Sequence, residues 1–167
     1  MLIYSAKLRL AALCIASSCL FLYIYPFMAQ ILFFYNAVQP YLPHRAQLKL
    51  FIAKLFLAER KKLQSLNYIF CTDDFLLDVN KAYLNHDFFT DIITFELASK
   101  KEPTIGEIYI SVDRVRENAK NLGCSFKEEI HRVIFHGALH LCGYKDKTAA
   151  EQKKMRERED KFLNLYF

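Results

Sequence analysis

The chain has 167 residues, 53% of them hydrophobic and 25% charged. That length holds one full hydrophobic core but not two comfortable domains, and the balance excludes a mainly disordered or collagen-like chain. Four glycines and four prolines argue against a turn-dense all-β sandwich, while a net charge of +5 and a pI near 8.9 suit an anionic partner without identifying one.

Residues 1–27 differ from the rest. They carry only Lys7 and Arg9 as charges, and no charged residue occurs from Leu10 to Pro43. The segment is expected to be either a spurious upstream extension or a signal or membrane segment. In the first case the protein starts at Met28, the domain is 28–167, and the charge falls from +5 to +3. The cysteines Cys14, Cys19, Cys71, Cys124 and Cys142 are odd in number with no CxxC pair. Free, mostly buried thiols in a reducing compartment are therefore expected, not a disulfide framework or an all-cysteine zinc site.

Ile31–Tyr35 is a short aromatic, β-prone run, and Pro40 and Pro43 mark a loop. From Ala46 to Lys61 the residues Leu48, Phe51, Ile52, Leu55 and Phe56 recur at helical spacing with charges between them, which predicts an amphipathic helix. Leu66–Thr72 reads as a strand, and Thr72 or Asp73 can cap a helix running to Leu84. Asn85-His86-Asp87 is a polar loop. Asp91–Leu97 and Ile105–Ser111 are β-prone and close enough to pair antiparallel. Ser111 can cap a helix ending at Gly123. Capping boxes at Ser125-x-x-Glu128 and Thr148-x-x-Glu151 open two further helices, the first ending at Gly143. The charged stretch Lys153–Lys161 reads as a solvated face. The order β-α-β-α-β-β-α-α-α predicts a single α+β domain, a mixed four-stranded sheet packed with about five helices.

His136 and His140 lie four residues apart, so both imidazoles share one helical face. Gly143 can turn the chain in a left-handed conformation, and Asp146 follows three residues later. The pattern H-x3-H-x2-G-x2-D offers two nitrogens and one carboxylate, and leaves a coordination position free for water, as a catalytic zinc site requires. His131 falls on a different face and is not expected to ligate. His44 and His86 are lone loop histidines, a type that is usually solvent-exposed.

Phe135-His136-Gly137-Ala138-Leu139-His140-Leu141-Cys142-Gly143-Tyr144 resembles the HGxLHLxGYDH signature of the YbeY endoribonucleases. Asn80, Tyr83, Asp87 and Thr90-Asp91-Ile92-Ile93-Thr94-Phe95 resemble the family's second motif, and Gly106-Glu107-Ile108-Tyr109-Ile110-Ser111 its GDIxIS strand. The resemblance runs from about Met28 to the C-terminus. It implies a zinc-dependent, single-strand-specific endoribonuclease of the cytoplasm. Such an enzyme acts in rRNA maturation at the 16S rRNA 3′ end and in ribosome quality control. One Zn2+ per chain would be held by His136, His140 and Asp146, with catalysis through a water on the metal. Ribosomal RNA and the ribosome or ribosomal proteins are the implied partners. No stable membrane association is expected if residues 1–27 are absent.

Two positions depart from the family pattern. Asp146 stands where the third ligand is a histidine, which makes the site harder and less positive and would raise the pKa of the water. Leu84 stands where an arginine commonly follows the tyrosine and can neither bind phosphate nor assist catalysis. His86, Arg114, Lys145 and Lys147 are the candidate phosphate contacts in its place, although lysines and arginines of this kind are more often plain surface charge. Tyr83, Phe88, Phe89 and Tyr144 could stack bases, but burial preference favours the core for each.

Two rivals remain at this level. A non-catalytic ribosome-assembly factor would retain the fold and bind RNA. A zinc metalloprotease would share the helix-and-turn geometry, but Gly137 stands where metzincins carry the general-base Glu.

Overall fold

The computed structural model describes residues 29–167. The expectation for residues 1–27, and with it Cys14 and Cys19, lies outside the described residues. The elements are β1 (Gln30–Tyr35), α1 (Arg45–Ala58), β2 (Leu63–Cys71), α2 (Asp73–Leu84), β3 (Ile92–Glu96), β4 (Thr104–Ser111), α3 (Val112–Leu122), α4 (Phe126–Leu141) and α5 (Ala149–Tyr166). This is the expected order. The strands form one sheet in the order β1-β2-β4-β3, with β1, β2 and β4 parallel and β3 antiparallel to β4. The α+β class and the mixed four-stranded sheet with five helices are as the sequence predicts.

Boundaries moved for local reasons. The first helix stops at Ala58 because Arg60 takes a left-handed φ of 57° and the Lys61 N–H returns to the Phe56 carbonyl at 2.9 Å. The second strand begins at Leu63, which pairs with Thr104 across an irregular register. Asp91 and Leu97 fall outside β3 yet still bond to β4 and its approach, through Ser111 N–H to Asp91 O (2.9 Å) and Leu97 N–H to Ile105 O (2.7 Å).

The helix starts follow capping chemistry. Thr72, Ser111, Ser125 and Thr148 each accept a backbone N–H from three residues on. Only Thr148–Glu151 closes both halves of a capping box. At Ser125 the forward bond is made at 3.1 Å, while the Glu128 carboxylate faces Arg132 at 3.9 Å.

The main core lies on the sheet face that carries Leu66, Tyr68, Phe70, Ile108 and Ile110, all fully buried. Helix α4 packs on this face, and the Tyr68 hydroxyl donates to the Ile134 carbonyl at 3.0 Å. Helix α1 adds Leu48, Ile52, Leu55 and Phe56, and α5 adds Met155, Phe162 and Leu163. A smaller cluster of Cys71, Leu76 and Ile93 seats α2. Burial pushes the Cys71 and Cys142 thiols up to about 12, so neither is a thiolate at neutral pH. Helix α4 approaches the sheet closely at Gly137, where a Cβ would sit 2.8 Å from Ile92 Cδ1 and 2.9 Å from Ile108 Cγ2. That approach sets the flanking His136 and His140 beside β3. Among the described residues no helix is long and apolar enough to cross a membrane.

Candidate active site

His136 and His140 project from one face of α4 with ring centroids 4.4 Å apart, nearly perpendicular at 89°. After Leu141 the helix ends, and Gly143 takes a φ of 100°, which favours glycine. The Gly143 N–H bonds to the His140 carbonyl at 2.9 Å and the Tyr144 N–H to the Leu139 carbonyl at 3.1 Å. This turn brings Asp146 back over the helix end. Its Oδ2 lies 3.4 Å from His140 Nε2 and 3.7 Å from His136 Nε2. One ligand atom from each of the three residues falls within 4.8 Å of the others.

The outer ring nitrogens fix the tautomers. His136 Nδ1 lies 2.7 Å from Glu159 Oε1, and His140 Nδ1 lies 3.0 Å from the Tyr144 carbonyl. Both partners can only accept, so each Nδ1 carries the proton. In neutral rings both Nε2 atoms then hold lone pairs, and they face each other at 2.9 Å beside a carboxylate. Three acceptors converge with no proton among them, an arrangement that a cation relieves. Two imidazole nitrogens and one carboxylate oxygen suit a divalent transition metal.

Glu159 belongs to this site, although Lys153–Lys161 reads as a solvated face in the sequence. It is 4% exposed, and Met155 in the same stretch is 2% exposed. Arg132 and Arg156 reach its other oxygen at 3.4 and 3.1 Å. Burial alone would raise the Glu159 carboxyl, yet the hydrogen bond from His136 and the charges of Arg156 and Arg132 carry it below the ordinary carboxylate value. Burial, then the neighbouring His136, holds His140 below the ordinary histidine value, against the upward pull of the Tyr144 carbonyl and Asp146. A signal for Glu159 exists in the sequence. Met155, Glu159 and Phe162 recur at helical spacing, which puts the acid on the buried face of α5.

The three ligand candidates open on a cleft of about 510 Å³ between α4, β3 and the α2–β3 connection. Lys147, His86, Phe88, Leu84 and Glu96 also line it. Of the candidate phosphate contacts, Lys147 and His86 therefore share the cleft with His136, His140 and Asp146. Lys145 lines a separate depression with Glu59, Tyr144 and Lys154. Arg114 is engaged elsewhere, with Asp73 and Glu117 each at 2.8 Å and its guanidinium 4.6 Å from the Phe89 ring centre.

Three of the four aromatic residues are not where burial preference puts them, whereas Tyr144 packs against the main core. Tyr83, Phe88 and Phe89 are 72%, 57% and 46% exposed. Tyr144 is half-buried, and its hydroxyl donates to Glu59 at 2.7 Å. His131 sits in the core, where its Nδ1 meets the Lys127 carbonyl at 2.6 Å.

A family model described as Endoribonuclease YbeY matches residues 43–166. A curated relative of that name from Cytophaga hutchinsonii is 44% identical over 135 residues, covering 81% of this chain and 94% of the relative. Another from Flavobacterium psychrophilum is 48% identical over 115 residues, covering 69% and 81%. Among solved structures, the solution structure of TM1509 from Thermotoga maritima is similar with a TM-score of 0.56 and 26% identity, over 83% of this chain and 89% of that one. The matched span includes His136, His140, Asp146 and Glu159 together with the cleft they open on, and the chain belongs to the endoribonuclease YbeY family.

Proposed function

We propose that this protein is a zinc-dependent endoribonuclease that cleaves single-stranded ribosomal RNA. Its place is rRNA maturation at the 16S 3′ end and ribosome quality control in the cytoplasm, with the ribosome as its partner. Family membership supports RNA cleavage. The observation that carries the site is the convergence of His136 Nε2, His140 Nε2 and Asp146 Oδ2, with both Nδ1 protons already committed. These three residues would hold one Zn2+ per chain. Bound there, the ion would polarise a phosphoryl oxygen and acidify the attacking water.

The chain's own residues supply the rest. Glu159 and the Tyr144 carbonyl hold the two rings with Nε2 toward the cleft. Lys147 brings a positive charge to the same cleft, where negative charge grows as the phosphate is attacked. Gly137 leaves no general base beside His136, and the contact with Ile92 and Ile108 leaves no room for one, so peptide hydrolysis is poorly served.

The test compares metal content and cleavage of a single-stranded RNA by the full-length protein and its His140→Ala variant. One zinc per chain and cleavage, both lost on substitution, are expected. Leu84 at the cleft wall favours the second reading, a non-catalytic RNA-binding assembly factor. RNA binding with no cleavage, or cleavage that survives His140→Ala as a contaminant's would, leaves that second reading standing.

A further inference from the structure

The last turn of α2 and its connection to β3 expose three aromatic rings within seven residues, Tyr83, Phe88 and Phe89. An exposed ring alone needs no explanation, but this connection is built. Helix α2 ends at Asn85 in the left-handed conformation, with φ 56°. The His86 N–H returns to the Asn80 carbonyl at 3.3 Å. Asn80 is 2% exposed, and its side-chain amide donates to the Phe88 carbonyl at 2.9 Å. A buried amide is thus spent on holding the backbone of an exposed phenylalanine. The His86 and Phe88 rings lie stacked, with centroids 5.1 Å apart and planes 24° from parallel. Both line the cleft that holds His136, His140, Asp146 and Lys147. Phe89, next in sequence, turns away to the Arg114 guanidinium.

We propose that His86 and Phe88 form a stacking subsite for one unpaired nucleobase of the RNA, beside the phosphate to be cleaved. This rests on the endoribonuclease reading above. A flat ring pair fixed at the cleft wall offers a π surface to any base, and a single strand leaves base faces free whereas a duplex covers them. The acids around the shelf have partners of their own: Glu96 pairs with Lys61 at 3.6 Å, Asp91 accepts from the Asn118 amide at 3.0 Å, and Asp87, between the two rings, pairs with Lys81 at 2.8 Å. Lys147 is in the same cleft for the adjoining phosphate. The subsite selects for strandedness, not for sequence, because stacking is sequence-tolerant. It also gives Leu84 a use. An apolar side chain in the lining of the same cleft suits a base where a guanidinium would suit a phosphate.

The chain contains no tryptophan, so Phe88→Trp introduces a single reporter at the shelf. The experiment uses the full-length, zinc-loaded protein. A short single-stranded 2′-O-methyl oligoribonucleotide is the binding probe, and the matching RNA is the substrate. Phe88→Ala is expected to weaken binding and raise KM by roughly tenfold. Its kcat, zinc content and Tm should stay near those of the parent. Phe88→Trp should bind at least as tightly as the parent, with indole emission quenched by the probe and not by a duplex of the same sequence. Leu57→Ala, at a side chain 75% exposed and outside the cleft, should change nothing. Unaltered affinity in Phe88→Ala, or an unquenched indole on a protein that binds the probe, overturns the subsite and leaves the nuclease reading intact. A parent protein that neither binds nor cleaves RNA overturns both.

Discussion

Helix α4 carries three histidines with opposite fates. His131 is 1% exposed and packs against Tyr166 and Phe167, with ring centroids 5.0 and 5.2 Å away. His136 and His140, on the other face, reach a cleft and point two bare nitrogens at a carboxylate. All three use Nδ1 as a donor. What separates them is what the ring meets: aromatic rings at one end of the helix, and at the other end acceptors that face Nε2. Residue type and helical spacing bring histidines to a face. The partners met by the second nitrogen decide whether that face can hold an ion.

The sharpest way to break this contrast is at the carboxylate. Asp146→Ala leaves two nitrogens and no anionic ligand, and zinc affinity measured by competition with a chelator should fall by more than roughly a hundredfold, beyond what loss of an outer-sphere partner costs. Unchanged affinity would remove Asp146 from the ligand set. The next effect is at Glu159. Glu159→Gln keeps an acceptor for His136 Nδ1 but loses the charge, and should weaken zinc by about tenfold. Glu159→Ala loses the hydrogen bond as well, for about a hundredfold. Both variants strip Arg132 and Arg156 of a buried anionic partner, since the single amide oxygen of glutamine cannot serve His136 and the arginines together, so Tm should drop in each, and more in the alanine variant, which also leaves a cavity. Equal zinc affinity in all three proteins would reduce Glu159 to a packing role.

The histidine pair was legible because the i, i+4 rule fixes its geometry before any tertiary contact is known. The sheet was legible for a similar reason: β-branched and aromatic runs bounded by caps and turns left few alternatives, and short connections paired β3 with β4. Glu159 was not, since it lies 23 residues from His136 in a stretch dense with charge, and only its phase relative to Met155 and Phe162 betrays it. Tyr83, Phe88 and Phe89 misled in the opposite direction. Burial preference is a statement about residue types, while Asn80 and the left-handed Asn85 fix where this loop goes. Arg114 and Lys147 are equivalent as charges in a sequence. They part only when Asp73 and Glu117 claim the first.

The backbone approach that places the histidine pair can be stressed directly. An alanine at position 137 would put its Cβ 2.8 Å from Ile92 Cδ1 and 2.9 and 3.0 Å from two atoms of Ile108. Overpacking of this kind costs roughly 1–3 kcal/mol, and the better helix propensity of alanine returns up to about 1 kcal/mol. Gly137→Ala should therefore destabilise by about 1–2 kcal/mol in denaturant unfolding. Adding Ile92→Val removes the nearest methyl and should recover part of it. A fully stable Gly137→Ala would show that α4 can lift off β3 without cost, and would weaken the argument that this contact sets the histidines.

The smallest effect tests the other end of the helix. Burial holds His131 below its ordinary value of 6.5, against the pull of the Lys127 carbonyl. The folded protein therefore resists protonating this ring, while the unfolded chain takes the proton near 6.5. Below that pH the unfolded state binds more protons, so stability falls as pH drops through 6.5 toward the lower folded value, and above 6.5 the contribution vanishes. A phenylalanine at this position would face the rings of Tyr166, Phe135 and Phe167 and cannot be charged. His131→Phe should thus unfold with a Tm that depends less steeply on pH below about 6.5, and match the parent's slope above pH 7. The other ionisable groups titrate in both proteins and cancel in the difference. Parallel Tm curves across that range would mean that His131 accepts a proton in the folded core, and the contrast between the two faces of α4 would then lie in metal binding alone.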